Sequence, residues 1–300
     1  MKGMLFSAGL GTRFKPWTDK HPKALAMVNG KSLLQRNIEY FQRFGITEVV
    51  VNVHHFADQV IEALDRSGGW GSKIIISDER EELLETGGGL LKARPFLERP
   101  AASPVTHDAE PRPGPSSDSG AASVHQDSSE LFVTINADIL TDLDLNKLIA
   151  FHKEQEALVS FGVTDRLTSR NFLFDAENRL RGWVNTSTGQ YRWPSGSTSQ
   201  EPSGPAMQNL SDFTSQHPSD LPIHSAPANI SSLIQKAYSC VVVFDPRIFG
   251  LMRHTGKFSI VDTYLDLAND HRIMGYDHSG DRLVDVGKPE SVALAEAMFP

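Results

Sequence analysis

Apolar positions along the chain fall into two patterns, short dense runs and longer segments in which they recur at spacings of three and four. Residues 3–7 read as a first strand. Ser32 stands where a helix cap belongs, ahead of Leu34, Ile38 and Phe41, and Gly45 follows as the stop. Ile46–Val53 is a β-branched run of the kind that forms a buried strand. A second helix carries Val60, Ile61 and Leu64 and leads into a strand over Lys73–Ser77. Leu131–Ile135 is the next strand, followed by a helix over Leu145–Gln155 and a strand over Leu158–Val163. Phe172–Phe174 and Leu180–Val184 flank Asp175-Ala176-Glu177-Asn178 as a hairpin. Strands alternating with helices predict an α/β fold, a mainly parallel sheet with crossover helices on its faces.

Two stretches break this rhythm. Residues 100–130 and 187–232 hold eleven of the seventeen prolines, many serines and almost no apolar period. Segments of that composition bury too little apolar surface to offset their chain entropy, so both read as insertions into one domain spanning 1–300. The second insertion leaves the rim of the hairpin and is expected to act as a lid or partner contact.

Charge and composition narrow the function classes. The formal net charge of −8 provides no global field for a polyanion, which argues against a nucleic-acid partner. No apolar run reaches the roughly 18 residues needed to cross a bilayer, and Met1-Lys2-Gly3 feeds into a strand instead of a leader. The expectation is therefore no membrane partner and a mature chain that starts here. The single cysteine, Cys240, lies in the apolar run Cys240–Phe244 and reads as a buried packing residue, and a chain without disulfides suits a reducing cytoplasm. Oligomeric state is not legible, and a homo-oligomer stays open.

Gly9-Leu10-Gly11-Thr12-Arg13-Phe14-Lys15-Pro16 follows the first strand directly. A dinucleotide fingerprint would need a third glycine where Phe14 stands, a helix where Pro16 and Pro22 stand, and a carboxylate where the second strand ends in Asn52-Val53-His54. A P-loop would need glycine at Leu25 ahead of Gly30-Lys31-Ser32, which instead reads as a turn and a helix cap. What remains is a long anion-binding loop: glycines admit backbone N–H groups to phosphate oxygens, Arg13 supplies a bidentate fork, and Lys23 supplies a compact charge. The alternative is a plain connection bearing solvated cations.

The text "GLGTRFKPWT…HPKAL" resembles the signature of the sugar-1-phosphate nucleotidyltransferases, the NDP-sugar pyrophosphorylases. "LETGGGLLKA", "FVTINADIL", "NFLFD", "YSCVVVFDPRIF" and "LVDVGKPESVALAE" match in order, so the resemblance covers about three quarters of the chain. Without a C-terminal β-helix, the chain looks most like the short N-acetylmuramate-1-phosphate uridylyltransferases, with mannose- and heptose-1-phosphate guanylyltransferases close behind.

That resemblance implies a nucleotide-diphospho-sugar transferase fold, a Rossmann-like mixed sheet flanked by helices, acting on a nucleoside triphosphate and a sugar 1-phosphate with Mg²⁺. Carried onto this chain, Arg13 and Lys23 are the catalytic cations. Ala8, Gly9, Gly11, Thr12, Arg13, Glu85, Thr86, Gly87 and Gly88 bind the nucleotide, with the three glycines of "LETGGG" laid against the base edge. Asp138 and Asp285 bind the metal, and Asn171 and Asn185 border the sugar, with Trp183 either beside it or in the core. Alanine at 137 replaces the family's glycine, which matters only if that backbone needs positive φ or touches the sugar. Two rival classes share the fold: a non-catalytic regulator, and a glycosyltransferase using Asp142-Leu143-Asp144 as a D-x-D metal motif.

Overall fold

A computed structural model describes residues 1–98, 130–195 and 230–300. Most of both proline-rich stretches lies outside the described residues. The elements run β1 (Lys2–Phe6), β2 (Met27–Val28), β3 (Lys31–Ser32), α1 (Leu33–Arg43), β4 (Glu48–Val53), α2 (Ala57–Arg66), β5 (Lys73–Asp78) and α3 (Glu85–Leu97). They continue as β6 (Phe132–Asn136), β7 (Ile139–Thr141), α4 (Leu145–Glu154), β8 (Val159–Thr164), β9 (Arg170–Phe174), β10 (Leu180–Asn185) and β11 (Gln190–Arg192). After the second gap come β12 (Ile234–Phe244), α5 (Ile248–Leu251), α6 (Ile260–Leu267), β13 (Ile273–Asp277), β14 (Leu283–Asp285) and α7 (Ser291–Met298).

Local chemistry accounts for the boundaries. Ser32 Oγ accepts the Gln35 N–H at 3.1 Å and starts α1, and Gly45, at φ 74°, follows its end in the left-handed region. Asn29 and Gly30 both have positive φ, which suits the two-residue connection between β2 and β3. Pro16 and Pro22 break the segment after β1 into short 3₁₀ turns, so no continuous helix forms there.

Among the described residues ten strands form one sheet, with β11-β10-β9-β12-β6-β1-β4-β5 in order and β8 joining β12 to β13. The β6-β1-β4-β5 portion is parallel. β12 is antiparallel to β6, β8 and β9, which makes the sheet mixed. Its central parallel strands β1, β4 and β6 are buried on both faces, as their apolar runs predict, while β5 at the edge is half-buried. Met4, Val50 and Phe132 point into a layer with Leu90, Ile260 and Tyr264. Leu5, Val49, Val51 and Val133 point into the opposite layer with Ile38, Phe41, Val60 and Leu148. A third apolar group, including Phe14, Val28, Leu33, Leu140 and Val286, ties the loop after β1 to the β7-β14 ribbon.

Two sequence boundaries shift. The hairpin extends through β11, so Gln190–Arg192, within the stretch read as an insertion, belong to the sheet, and Trp193 after them is buried. Cys240 is only half-buried and sits at φ 58° where the β12–β8 register breaks between Tyr238 and Val242, so it marks a bulge and not a plain packing position. No described helix is long and apolar enough to cross a membrane.

Candidate active site

The carboxyl ends of β1, β4 and β6 open onto a cavity of about 300 Å³, lined by Ser7, Ala8, Gly9, Lys23, Asn52, Glu85, Thr86, Asn136 and Asp138 among others. Parallel sheets present their ligand crevice at this edge. Lys23 reaches the cavity from the 3₁₀ turn that follows Pro22, and its Nζ donates to Asp138 Oδ2. Asp138 stands two residues past the end of β6, and Asn136, Ala137 and Asp138 all line the wall.

The second aspartate arrives through the β7-β14 ribbon. Asp285 pairs with Ile139 in that ribbon, and Val286 N–H donates to Asp138 C=O at 2.8 Å, so residues 147 positions apart become neighbours. Burial, then the Asp138 charge, pushes the Asp285 carboxyl up, while Lys23, Arg13 and Arg166 pull it down. Arg13 lies against the same ribbon: a Cβ built on Gly287 would stand 3.0 Å from an Arg13 guanidinium nitrogen and 2.7 Å from Asp285 Oδ1. Arg13, Lys23, Asp138 and Asp285 therefore form one cluster. Asp285 Oδ1 is buried without a hydrogen-bond partner, which suits a bound cation. Two hard carboxylate donors beside a phosphate-sized cavity fit Mg²⁺, which takes few protein ligands and fills the rest with phosphate and water.

The loop after β1 is shaped by internal bonds. Ser7 N–H donates to Asn52 Oδ1 at 2.7 Å, and Asn52 Nδ2 donates to Glu79 Oε1 at 2.7 Å. Glu79 is fully buried, and burial raises its carboxyl. Gly11 is left-handed, with Thr18 Oγ1 donating to its carbonyl at 2.9 Å. Gly9 has open space around its Cα, as an anion-cradling backbone requires. Thr12 begins the 3₁₀ turn that carries Arg13.

Some expected site residues lie elsewhere. Ala8, Gly9, Glu85 and Thr86 line the cavity, but Gly11, Thr12, Arg13, Asp285, Gly87 and Gly88 are not on its wall. Gly87 and Gly88 both donate to Phe258 C=O, at 2.9 and 3.4 Å, and a Cβ on Gly88 would lie 2.0 Å from Gly256 C=O. These glycines admit the chain's own 256–258 segment at the base of α3. Asn171 and Asn185 are absent from the cavity wall: Asn171 Nδ2 donates to Thr168 C=O at 3.1 Å, and Asn185 Oδ1 accepts from Ser187 N–H at 3.1 Å. Trp183 is half-buried against the core, with Arg192 5.8 Å from its ring centroid.

Asp144 caps α4 and Asp142 pairs with Arg282, so the D-x-D spacing here is structural. His54 Nδ1 lies 2.6 Å from Glu79 C=O and His55 Nε2 3.2 Å from Thr18 C=O, and no set of three metal-ligating side chains occurs among the described residues. Ala137 does not adopt positive φ, so its backbone does not need the missing glycine, although the residue does line the cavity. In the sequence Asn52 figures only as a strand end without a carboxylate, although a polar residue inside Val49–Val53 signals its structural role.

A family model described as the MobA-like NTP transferase domain matches residues 3–181. The chain belongs to this family. Among its curated relatives, an N-acetylmuramate alpha-1-phosphate uridylyltransferase of Caulobacter vibrioides is 44% identical over 97 residues, covering 31% of this chain and 40% of that protein. The enzyme of the same name from Neisseria meningitidis is 31% identical over 144 residues, covering 48% and 49%. The chain thus spans less than half the length of either relative. A crystal structure of HddC from Yersinia pseudotuberculosis complexed with GMP-PN superposes with a TM-score of 0.64 at 18% identity, covering 100% of this chain and 99% of the other. The inositol-1-phosphate CTP transferase from T. maritima gives 0.62 at 14%, covering 99% and 94%. At these identities the likeness establishes the fold, the nucleotide-diphospho-sugar transferase type expected from the sequence.

Proposed function

We propose that this protein is a sugar-1-phosphate nucleotidyltransferase that joins a nucleoside triphosphate to a sugar 1-phosphate, releasing pyrophosphate and an NDP-sugar. The observation that carries the reading is the pairing of Lys23 with Asp138 on the wall of one strand-end cavity, with Asp285 and Arg13 brought up beside Asp138 by the β7-β14 ribbon. UTP and N-acetylmuramate 1-phosphate are the favoured pair, in keeping with the names of the two relatives above. A cytoplasmic setting agrees with the single cysteine and a triphosphate substrate.

In the reaction a phosphate oxygen of the sugar 1-phosphate attacks the α-phosphorus. The bond from that phosphorus to the oxygen bridging the β-phosphate breaks, and pyrophosphate departs with the electron pair. The protein's work is alignment and charge neutralisation, since two polyanions must meet. Ala8, Gly9, Gly11 and Thr12 would wrap the triphosphate, and Arg13 would hold its β and γ groups. Lys23 would leave Asp138 to bridge the α-phosphate and the attacking oxygen. Glu85 and Thr86 would face the base. Asp138 and Asp285 would hold Mg²⁺, which supplies Lewis-acid neutralisation of the α-phosphate when bound.

Pyrophosphate release over UTP, GTP, dTTP and CTP with several sugar 1-phosphates tests the proposal. UTP with N-acetylmuramate 1-phosphate should give the highest kcat/KM. A preference for GTP with mannose 1-phosphate would move the substrate assignment, and no turnover with any pair would refute catalysis in favour of a nucleotide-sugar-binding regulator.

A further inference from the structure

Arg166 stands in the connection between β8 and β9, among exposed neighbours, yet its guanidinium turns inward. One terminal nitrogen donates to Tyr238 C=O at 2.9 Å, and Nε is buried with no partner. Tyr238 is the last β12 residue in register with β8 before the bulge that contains Cys240. Past the bulge Val241 pairs with Ile135, so the bulge lies beside Asn136, a wall of the cavity. Asp285 and Cys240 both lie within electrostatic reach of Arg166. A guanidinium anchored on one side, with a desolvated N–H left unsatisfied, has a donor free for an oxyanion. Lys23 and Arg13 occupy the loop side of the cluster. Arg166 approaches from the β8-β12 side, opposite the strands that carry the triphosphate loop.

We propose that Arg166 binds an oxyanion of the acceptor sugar phosphate. The inference rests on the nucleotidyltransferase reading. Two groups share this chemistry, the 1-phosphate itself and a carboxylate carried on the sugar ring substituent. A bidentate fork suits either, and lysine would replace it poorly.

The test is steady-state kinetics of the full chain at saturating UTP, comparing wild type with Arg166→Gln and Arg166→Lys. N-acetylmuramate 1-phosphate and N-acetylglucosamine 1-phosphate, which lacks the carboxylate, serve as acceptors, with thermal melts as a check on folding. Arg166→Gln should raise the acceptor KM about tenfold to a hundredfold, as expected for loss of a hydrogen bond to a charged group, and leave the UTP KM within about twofold. Arg166→Lys should fall between. An equal rise for both acceptors assigns the fork to the 1-phosphate, and a rise confined to the muramate acceptor assigns it to the carboxylate. Unchanged acceptor KM in an active Arg166→Gln enzyme overturns the proposal, as does an equal rise in the KM for UTP. A wild-type chain inactive with every pair refutes the nucleotidyltransferase reading itself, and this inference with it.

Discussion

Substituting Gly88 by alanine isolates the role of the glycines at the start of α3. An ideal Cβ there lies 2.0 Å from the Gly256 carbonyl oxygen, whereas a relaxed carbon–oxygen contact needs about 3.3 Å. The obstructing atom is backbone, so α3 or the 256–258 segment must move by about 1 Å, straining the Gly87 N–H bond to Phe258 C=O. Overpacking of this kind costs about 1–3 kcal/mol, and an obstacle that cannot rotate away places the change near the upper end. At about 2–4 °C per kcal/mol for a domain this large, the melting temperature should fall by roughly 6–12 °C. Glu85 and Thr86 would shift with the helix, so KM for the triphosphate should rise while the acceptor KM changes less. Gly250→Ala provides the control: it lies in α5 with nothing within 4 Å of its added methyl, and should be neutral or slightly stabilising. A Gly88→Ala protein that melts within about 1 °C of wild type would show that the close approach is not a constraint.

Lys23→Ala and Asp138→Ala should each reduce turnover about 10²–10⁴-fold with far-UV circular dichroism unchanged, and wild-type pyrophosphate release by either would remove that residue from the mechanism. Chelation of divalent metal should abolish turnover and Mg²⁺ should restore it, while chelator-resistant activity would contradict the roles given to Asp138 and Asp285. Burial depresses His152 to about 4. The unfolded chain binds that proton near 6.5 and the folded chain does not, so stability from this group is complete above 6.5 and is lost as pH falls toward 4. Between pH 7 and 5 the loss should be about 2 kcal/mol. Urea midpoints should show this slope in wild type and a flatter one in His152→Gln, and parallel slopes would reject the assignment.

The strands and helices of the α/β frame were legible because its β-branched runs and amphipathic spacings follow directly from burial on two faces. Arg13, Lys23, Asp138 and Asp285 were legible through motifs, although only the β7-β14 pairing explains how two distant carboxylates meet. Gly87 and Gly88 signal a close approach without saying what approaches. Here the partner is the chain itself, about 170 residues away in sequence. Asn171 and Asn185 sit where sugar contacts were expected, but their amides serve adjacent turns. Arg166, Asn52 and Glu79 carried no motif. Their importance comes from the bulge beside β8 and from the buried bonds joining β1, β4 and the residue after β5.

The late position of β12 in the chain bears on synthesis. β6 and β8 each take one of their neighbours from it, and β8 takes its other from β13, so a growing polypeptide holding residues 132–164 carries three unpaired strand borders, two of which close only once residue 244 emerges. Unpaired borders recruit other chains, which makes the stalled or truncated product aggregation-prone and makes elongation through that interval the stage most dependent on chaperones.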